Sequence, residues 1–174
     1  MKKSIIHIHW TSCSGKSTLF EEVRKNNPGI FTVSSDYLKW QLDGYNSAAH
    51  KDLIEEFVFS ALETACKNGL MIILDSYMRT GEIYERFMDI SNRYWYVFHD
   101  YLITAPRDIL IGRFRDRIES VKVSGRTTSV MDEMIFIKNM EKKFYVPEGI
   151  KVFDTSAMNI QEIYAHIEAD ILLF

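Results

Sequence analysis

The sequence predicts an α/β fold, a doubly wound parallel five-stranded sheet flanked by helices, and three observations lead there. Apolar runs of strand length alternate with stretches of helical period along the whole chain. One run, Leu70-Met71-Ile72-Ile73-Leu74, is unbroken, as in a strand covered on both faces, the usual condition of a parallel sheet. The first run, Ser4 to His9, leads within a few residues into Gly15-Lys16-Ser17-Thr18 and then into a helical pattern, the strand–loop–helix order at which such sheets hold ligands.

Each element is read from its local pattern. Ser4 to His9 is the first strand, and Ser17 to Lys25 is a helix with Leu19, Phe20 and Val23 inward. Asn27-Pro28-Gly29 is a turn into the β-branched and aromatic strand Ile30 to Ser34. Lys51 to Lys67 carries Leu53, Ile54, Phe57, Val58, Ala61, Leu62 and Ala65 on one helical face, and Asn68-Gly69 closes it. The strand Leu70 to Leu74 ends at Asp75. A helix from Glu82 to Asn92, an aromatic strand from Tyr96 to Ile103 and a helix from Pro106 through Arg117 come next. Beyond a Gly-containing loop, Val123 to Thr128, Ser129 and Asp132 are expected to cap a helix reaching Phe144. Lys151-Val152-Phe153 is the last strand, and Asn159 with Glu162 forms a capping box for the final helix.

Composition narrows the class. The 174 residues are 47% hydrophobic and 26% charged with three prolines, which fits one compact domain without linkers. A net charge of −3 gives no global attraction to nucleic acid or acidic membranes, so any polyanion must meet a local patch. Cys13 and Cys66 form no metal spacing and are expected to be reduced. Met1-Lys2-Lys3 with Ile5, Ile6 and Ile8 imitates the opening of a signal peptide, but His7 and His9 interrupt the run. No stretch approaches the ~20 apolar residues of a membrane span. A cytoplasmic protein with no membrane contact is the expectation.

The segment from Trp10 to Ser17 resembles a Walker A motif, with Trp10 at the place of its first glycine. Cys13, Ser14, Gly15, Lys16, Ser17 and Thr18 are then expected to cradle the phosphates of a nucleoside triphosphate at a helix N-terminus. Lys16 would reach the β- and γ-phosphates and the Ser17 hydroxyl would hold Mg²⁺. Asp36 and Asp75 come after the second and third strands, so both carboxylates fall at the sheet edge where this loop lies. One could take a proton from an acceptor and the other could orient Mg²⁺; an N-cap role is the alternative for each. Arg113 and Arg117 share a helical face and suit a lid over a γ-phosphate, with Arg126 a further candidate; a solvated face paired with Asp116 and Glu119 is the alternative. Asp154 and Thr155, after the last strand, are expected to border the nucleotide base or to cap a helix. His7 and His9 read as structural, and the aromatic strand around Trp95 reads as core before it reads as a stacking platform.

The run from Lys2 to Thr18, the Asn27-Pro28-Gly29 turn, the strand after it and Asp36 resemble the N-terminal kinase domain of the phage polynucleotide kinase family. The likeness is best over residues 1–40 and thinner through Leu70 to Asp75 and Arg113 to Arg117. It implies a single phosphate-loop kinase domain over residues 1–174, with an arginine-bearing lid over about 107–130 and with ATP and Mg²⁺ as nucleotide and metal. Lys16 and Ser17 match the family's phosphate-loop pair, Asp36 its general base toward a 5′-hydroxyl, and Asp75 its carboxylate after the third strand. Lys39 stands where the family has an arginine that grips the acceptor's phosphate, and Ser76-Tyr77 where it has Thr-Asn. These departures fall on the acceptor side. The partners implied are a nucleoside triphosphate and either a nucleic-acid end or a small nucleotide-like acceptor. A nucleotide-binding regulatory protein with little turnover is the reading from another class.

Overall fold

The structure, a computed structural model, describes residues 3–9, 12–124 and 130–173. In chain order it contains β1 (Ser4–His9), α1 (Lys16–Asn26), β2 (Phe31–Ser34), α2 (Ser35–Gln41), α3 (Ser47–Lys67), β3 (Ile72–Asp75), α4 (Gly81–Arg93), β4 (Val97–Thr104), α5 (Arg107–Ser124), α6 (Glu133–Met140), β5 (Lys151–Asp154) and α7 (Ile160–Leu173). The five strands form one sheet in the order β2-β3-β1-β4-β5, every pair parallel. All five therefore end at the same edge. The first strand is central, and its neighbours are β3 on one side and β4 on the other.

Alternation along β1 sends Ile6 and Ile8 to one face, where they meet Leu19 and Val23 of α1 and Ile163, Ile167 and Ile171 of α7. Ile5 faces the opposite layer, a cluster with Val58, Phe59 and Leu62 of α3 and Phe87 and Ile90 of α4. Both faces are thus covered, which is why β3 reads as an uninterrupted apolar run. A third, smaller cluster joins α5 to α6: Phe114 stacks on Phe136 with ring centroids 4.3 Å apart, and Cys13 of the β1–α1 loop packs against it.

Four expectations change. The helix α2, which has no counterpart among the expected elements, begins directly from β2. The helix α5 continues to Ser124, so Val123 is helical and not the start of a loop. Asp132 does cap α6, its Oδ1 accepting from Ile135 N at 2.9 Å, but the helix stops at Met140 and not at Phe144. Residues 142–146 instead form a strap without regular secondary structure, tied down where Tyr77 Oη donates to Lys143 O (3.1 Å) and Tyr145 N donates to Met78 O (3.0 Å). Trp95 is 82% exposed in a left-handed turn (φ 63) before β4, whereas Tyr96 is core. The capping box of α7 forms as expected, with Asn159 and Glu162 each bonding the other's backbone N–H at 2.8 and 2.9 Å. Trp10, Arg126 and Ser129 lie outside the described residues. No helix among the described residues is long and apolar enough to cross a membrane.

Because the α5–α6 pair rests on its own small cluster, Phe136→Ala should cost about 3 kcal/mol locally. Hydrogen exchange should quicken in α5 and α6 and stay slow in β1 and β3; uniform quickening would show that the pair is not a separate unit.

Candidate active site

The carboxyl ends of β2, β3 and β1 lie side by side, and the residues just beyond them converge. Lys16 opens α1 and donates from Nζ to Asp75 Oδ1 at 2.7 Å, while Ser34, the register partner of Asp75, donates from Oγ to Asp75 Oδ2 at 3.1 Å. The loop between β1 and α1 bends through left-handed backbone at Cys13 (φ 67) and Gly15 (φ 93). Glycine adopts this conformation freely, while at Cys13 it costs about 1–2 kcal/mol. Gly15 is the N-cap of α1 and offers no side chain, and no acidic residue stands in the first turn. The leading N–H groups of α1 are thus left open and carry the positive end of its dipole, and Ser17 and Thr18 are exposed there. Ser14 Oγ is buried without a hydrogen-bond partner among the described residues.

Above this loop, α5 brings two arginines with different employment. Arg113 donates to Thr155 Oγ1 (2.7 Å) and Thr155 O (2.9 Å), and Thr155 Oγ1 also lies 2.9 Å from Ser14 O. Arg113 therefore staples the end of β5 to the phosphate-loop backbone. Arg117 has Nε and Nη2 buried with no hydrogen-bond partner among the described residues. Both guanidiniums act on the Cys13 thiol, although burial is stronger and pushes that thiol up. Arg115 points away and pairs with Glu133 at 2.6 Å, so the solvated-face alternative holds for Arg115, with a partner other than those expected. The Asp154 carboxylate is taken up locally, accepting from Ser156 N and Oγ at 2.8 and 2.7 Å. It caps a turn and leaves the capping of α7 to Asn159.

On the other side of Asp75, Ser34 and not Asp36 caps α2, accepting from Tyr37 N at 3.4 Å. Asp36 sits inside the first turn, and its Oδ1 accepts from Lys39 Nζ at 2.8 Å. Burial pushes the Asp36 carboxyl up, but Lys39 and then Lys16 outweigh it and hold the group below the ordinary carboxylate value. Ser35 and Lys39 line a cavity of about 600 Å³ whose further walls include Ser76, Tyr77, Ile54 and Val58.

Beneath the site lies a pair the sequence did not reveal. His7 and Asp100 are register partners on β1 and β4, and His7 Nδ1 lies 2.8 Å from Asp100 Oδ1 while Nε2 lies 3.0 Å from Ser76 O. Burial would raise the Asp100 carboxyl, but the hydrogen bonds and charge of His7 and His9 carry it down to about 2. Both ring nitrogens of His7 are thus taken up, one by the Asp100 carboxylate and the other by the Ser76 carbonyl. The second bond fixes the segment that leaves β3 and walls the cavity. His9 stacks on His7 at 4.7 Å, and burial keeps its pKa low despite Asp100. The donor atoms of His7, His9 and Asp100 lie within 4.8 Å of one another, but His7 spends both nitrogens on Asp100 and Ser76, so the cluster is closed by its own hydrogen bonds. The only sequence signal was an aspartate inside an aromatic strand.

A family model described as an AAA domain matches residues 5–136. No curated protein matches the sequence. Among solved structures, a suspected kinase of Chloroflexus aurantiacus is 14% identical with a TM-score of 0.73, covering 97% of this chain and 98% of its own. The APS kinase of Mycobacterium tuberculosis, solved with AMPPNP and APS, is 13% identical with a TM-score of 0.67, covering 99% of each chain. A gluconokinase of Sinorhizobium meliloti 1021 is 14% identical with a TM-score of 0.61, covering 98% of this chain and 92% of its own. At such identities the likeness is one of fold. The fold is the phosphate-loop kinase-like one, and none of these likenesses singles out the polynucleotide kinases.

The His7–Asp100 pair makes a pH prediction. Because the folded Asp100 carboxyl lies at about 2, below its ordinary value, its stabilising contribution is complete above the unfolded pKa and disappears as pH falls from about 4 to 2. Urea denaturation between pH 5 and 2 should show the wild type losing on the order of 2 kcal/mol more than Asp100→Asn over that range. Parallel curves would remove the pair from the stability account.

Proposed function

The chain belongs to the AAA domain family, and we propose that it is an ATP-dependent phosphotransferase moving the γ-phosphate to a hydroxyl acceptor. The observation that carries this reading is the carboxylate of Asp36, whose neighbour Ser35 and partner Lys39 line a cavity that also includes Ser76, the residue after the Lys16 partner Asp75. A protein that only bound a nucleotide would need no second site. The orphaned donors of Arg117 and the open N-terminus of α1 support a polyphosphate in the loop.

On this reading, Lys16 leaves Asp75 for the β- and γ-phosphates. Asp75 already holds a cation at 2.7 Å and, with the Ser17 hydroxyl, offers the hard oxygen donors that suit Mg²⁺. Mg²⁺ bound there would neutralise charge on the phosphate oxygens. The acceptor hydroxyl oxygen forms a bond to the γ-phosphorus as the bond from that phosphorus to the β,γ-bridging oxygen breaks, and ADP leaves. The hydroxyl proton passes to Asp36, which exchanges its bond from Lys39 for one from the acceptor. Arg117 balances charge on the transferring group. Arg113, through Thr155, holds the loop. A polynucleotide 5′-hydroxyl is the first-choice acceptor, on the resemblance around Asp36. A small nucleotide-like alcohol is the second, favoured by a cavity volume of about 600 Å³ that suits one small molecule.

Asp36→Asn should leave ATP·Mg²⁺ binding within about twofold and lower kcat by ~10²–10⁴-fold. The cap of α2 is Ser34, so stability should change little. A wild-type rate in this variant would sink the assignment, and loss of nucleotide binding would move Asp36 to the metal side. Lys39→Ala removes the main group that depresses the Asp36 carboxyl, so the acid limb of kcat/KM should move to higher pH. An unmoved limb would mean that another group sets it.

A further inference from the structure

The outer margin of the sheet on the side of α2 is apolar and exposed. β2 is the outermost strand there. Phe31 N donates to Met71 O on the β3 side at 2.8 Å, so alternation turns the N–H and C=O of Thr32 outward. Edge strands are commonly blunted by charge or proline, and Phe31-Thr32-Val33-Ser34 has neither. Phe31 shares the face of Val33, which packs beneath α3 with Val58 and Leu62. On α3, Leu53 and Phe57 lie four apart on the flank turned away from α4, since Glu56 and Glu63 of the other flank pair with Arg86 and Arg93 of α4. On α2, Leu38 packs inward against the same cluster and leaves Tyr37 and Trp40 outside, their ring centroids 6.2 Å apart. Phe31, Tyr37, Trp40, Leu53 and Phe57 are each between 42% and 63% exposed.

We propose that a second copy of this chain docks on this margin, with the two β2 edges antiparallel about a two-fold axis at Thr32 and the Leu53–Phe57 flanks of the two α3 helices against each other. A residue that turns both its N–H and its C=O outward can exchange both bonds with the same residue of a copy, which makes the contact self-complementary and closed. The α3 flank suits such a contact because at helical spacing it reads Ala49, Leu53, Phe57, Ser60 and Thr64, so the axis sets no charge against its own image. The same lack of charge disfavours a polyanion as the partner. The area also fits. At roughly 200 Å² for a large side chain, about half of it exposed, the five residues offer on the order of 500 Å² of apolar surface. A standard interface takes about 800 Å² from each partner, a little over half of it apolar. Docking also steadies α2: this helix carries Asp36 but buries no residue fully, and the copy covers Tyr37 and Trp40 from outside.

Sedimentation equilibrium of the full chain over about a hundredfold range of concentration should show monomer and dimer in exchange. Phe57→Glu sets two carboxylates across the axis and should weaken association by ~100-fold or more. Thr32→Pro removes the outward N–H, leaves the bond from Phe31 to Met71 in place and should weaken association likewise. Phe57 is exposed, so thermal melting should confirm that its variant folds; should Thr32→Pro fail to fold, Phe57→Glu decides alone. Hydrogen exchange compared between dilute and concentrated protein should slow at Thr32 and through α2 as the dimer forms. A monomer at every concentration overturns the inference, and if that monomer co-sediments with phosphatidylcholine vesicles the margin belongs to a membrane surface instead. A dimer that keeps its affinity in Phe57→Glu, or that forms without slower exchange at Thr32 and α2, lies on another face and overturns it as well. None of these measurements needs turnover, so their outcome is separate from that of the phosphotransferase reading.

Discussion

The ion pair of Lys16 and Asp75 is the contact on which the architecture of the site depends. Its members are 59 residues apart and come within 2.7 Å only because β1 and β3 are parallel neighbours ending at one edge. Both side chains are less than one-fifth exposed, so removing either would strand a partly buried charge. Ser34 extends the contact to β2 through the second carboxylate oxygen. Three strands are thereby locked at their carboxyl ends, where the loop after β1 turns into α1. On the proposed reading, the pair also readies the lysine for a polyphosphate, which has only to replace one anionic partner with another.

A buried hydrogen-bonded pair supports this contact from below. His7 and Asp100 lie one layer deeper, between β1 and β4, and the second bond of His7 fixes the carbonyl of Ser76. The residue after Asp75 is thus pinned by β1, and the direction in which the chain leaves β3 is set by a buried histidine. Burying the Asp100 carboxylate costs desolvation, which the close contact of its Oδ1 with His7 Nδ1 offsets in part. What the fold gains is a defined wall for the cavity next to Asp36.

The elements legible in the sequence were those whose signal is local. β1, the phosphate loop, α1 and β3 carry apolar runs, a glycine–lysine–serine turn and a helical period within a few residues of one another, and Lys16 and Asp75 could be placed from them. The helix α2 buries no residue fully, so it has no apolar stripe to read. The sequence Glu141-Lys142-Lys143-Phe144 continues a helical composition, yet tertiary bonds from Tyr77 and Met78 draw it out as a strap. Arg113 and Arg117 were legible as a pair on one face, but their division of labour was not, since it depends on Thr155, 42 residues beyond Arg113. His7 and Asp100 are 93 residues apart and related only by strand register, which no local pattern reports. Of the lysines that line the cavity only Lys39 was legible, since Lys51, Lys142 and Lys143 join it through tertiary packing that no local pattern reports.

On the proposed reading, these pieces explain a choice of base that at first looks poor. Lys39 and Lys16 hold the Asp36 carboxyl below its ordinary value, and a weaker base accepts a proton less readily. Phosphoryl transfer through a loose transition state asks little of its base, however, because bond formation to the incoming oxygen is slight when the leaving bond has largely broken. The hydroxyl then retains most of its proton until late, and the carboxylate aims the oxygen at phosphorus and takes the proton once the new bond has formed. A carboxylate kept ionised by lysines is suited to that task over a wide pH range. The same lysines lie between two anionic ligands, the polyphosphate over α1 and the acceptor in the cavity, and so reduce the repulsion that would otherwise keep the reacting groups apart. The low basicity of Asp36 is on this account a consequence of the positive field that lets two anions meet.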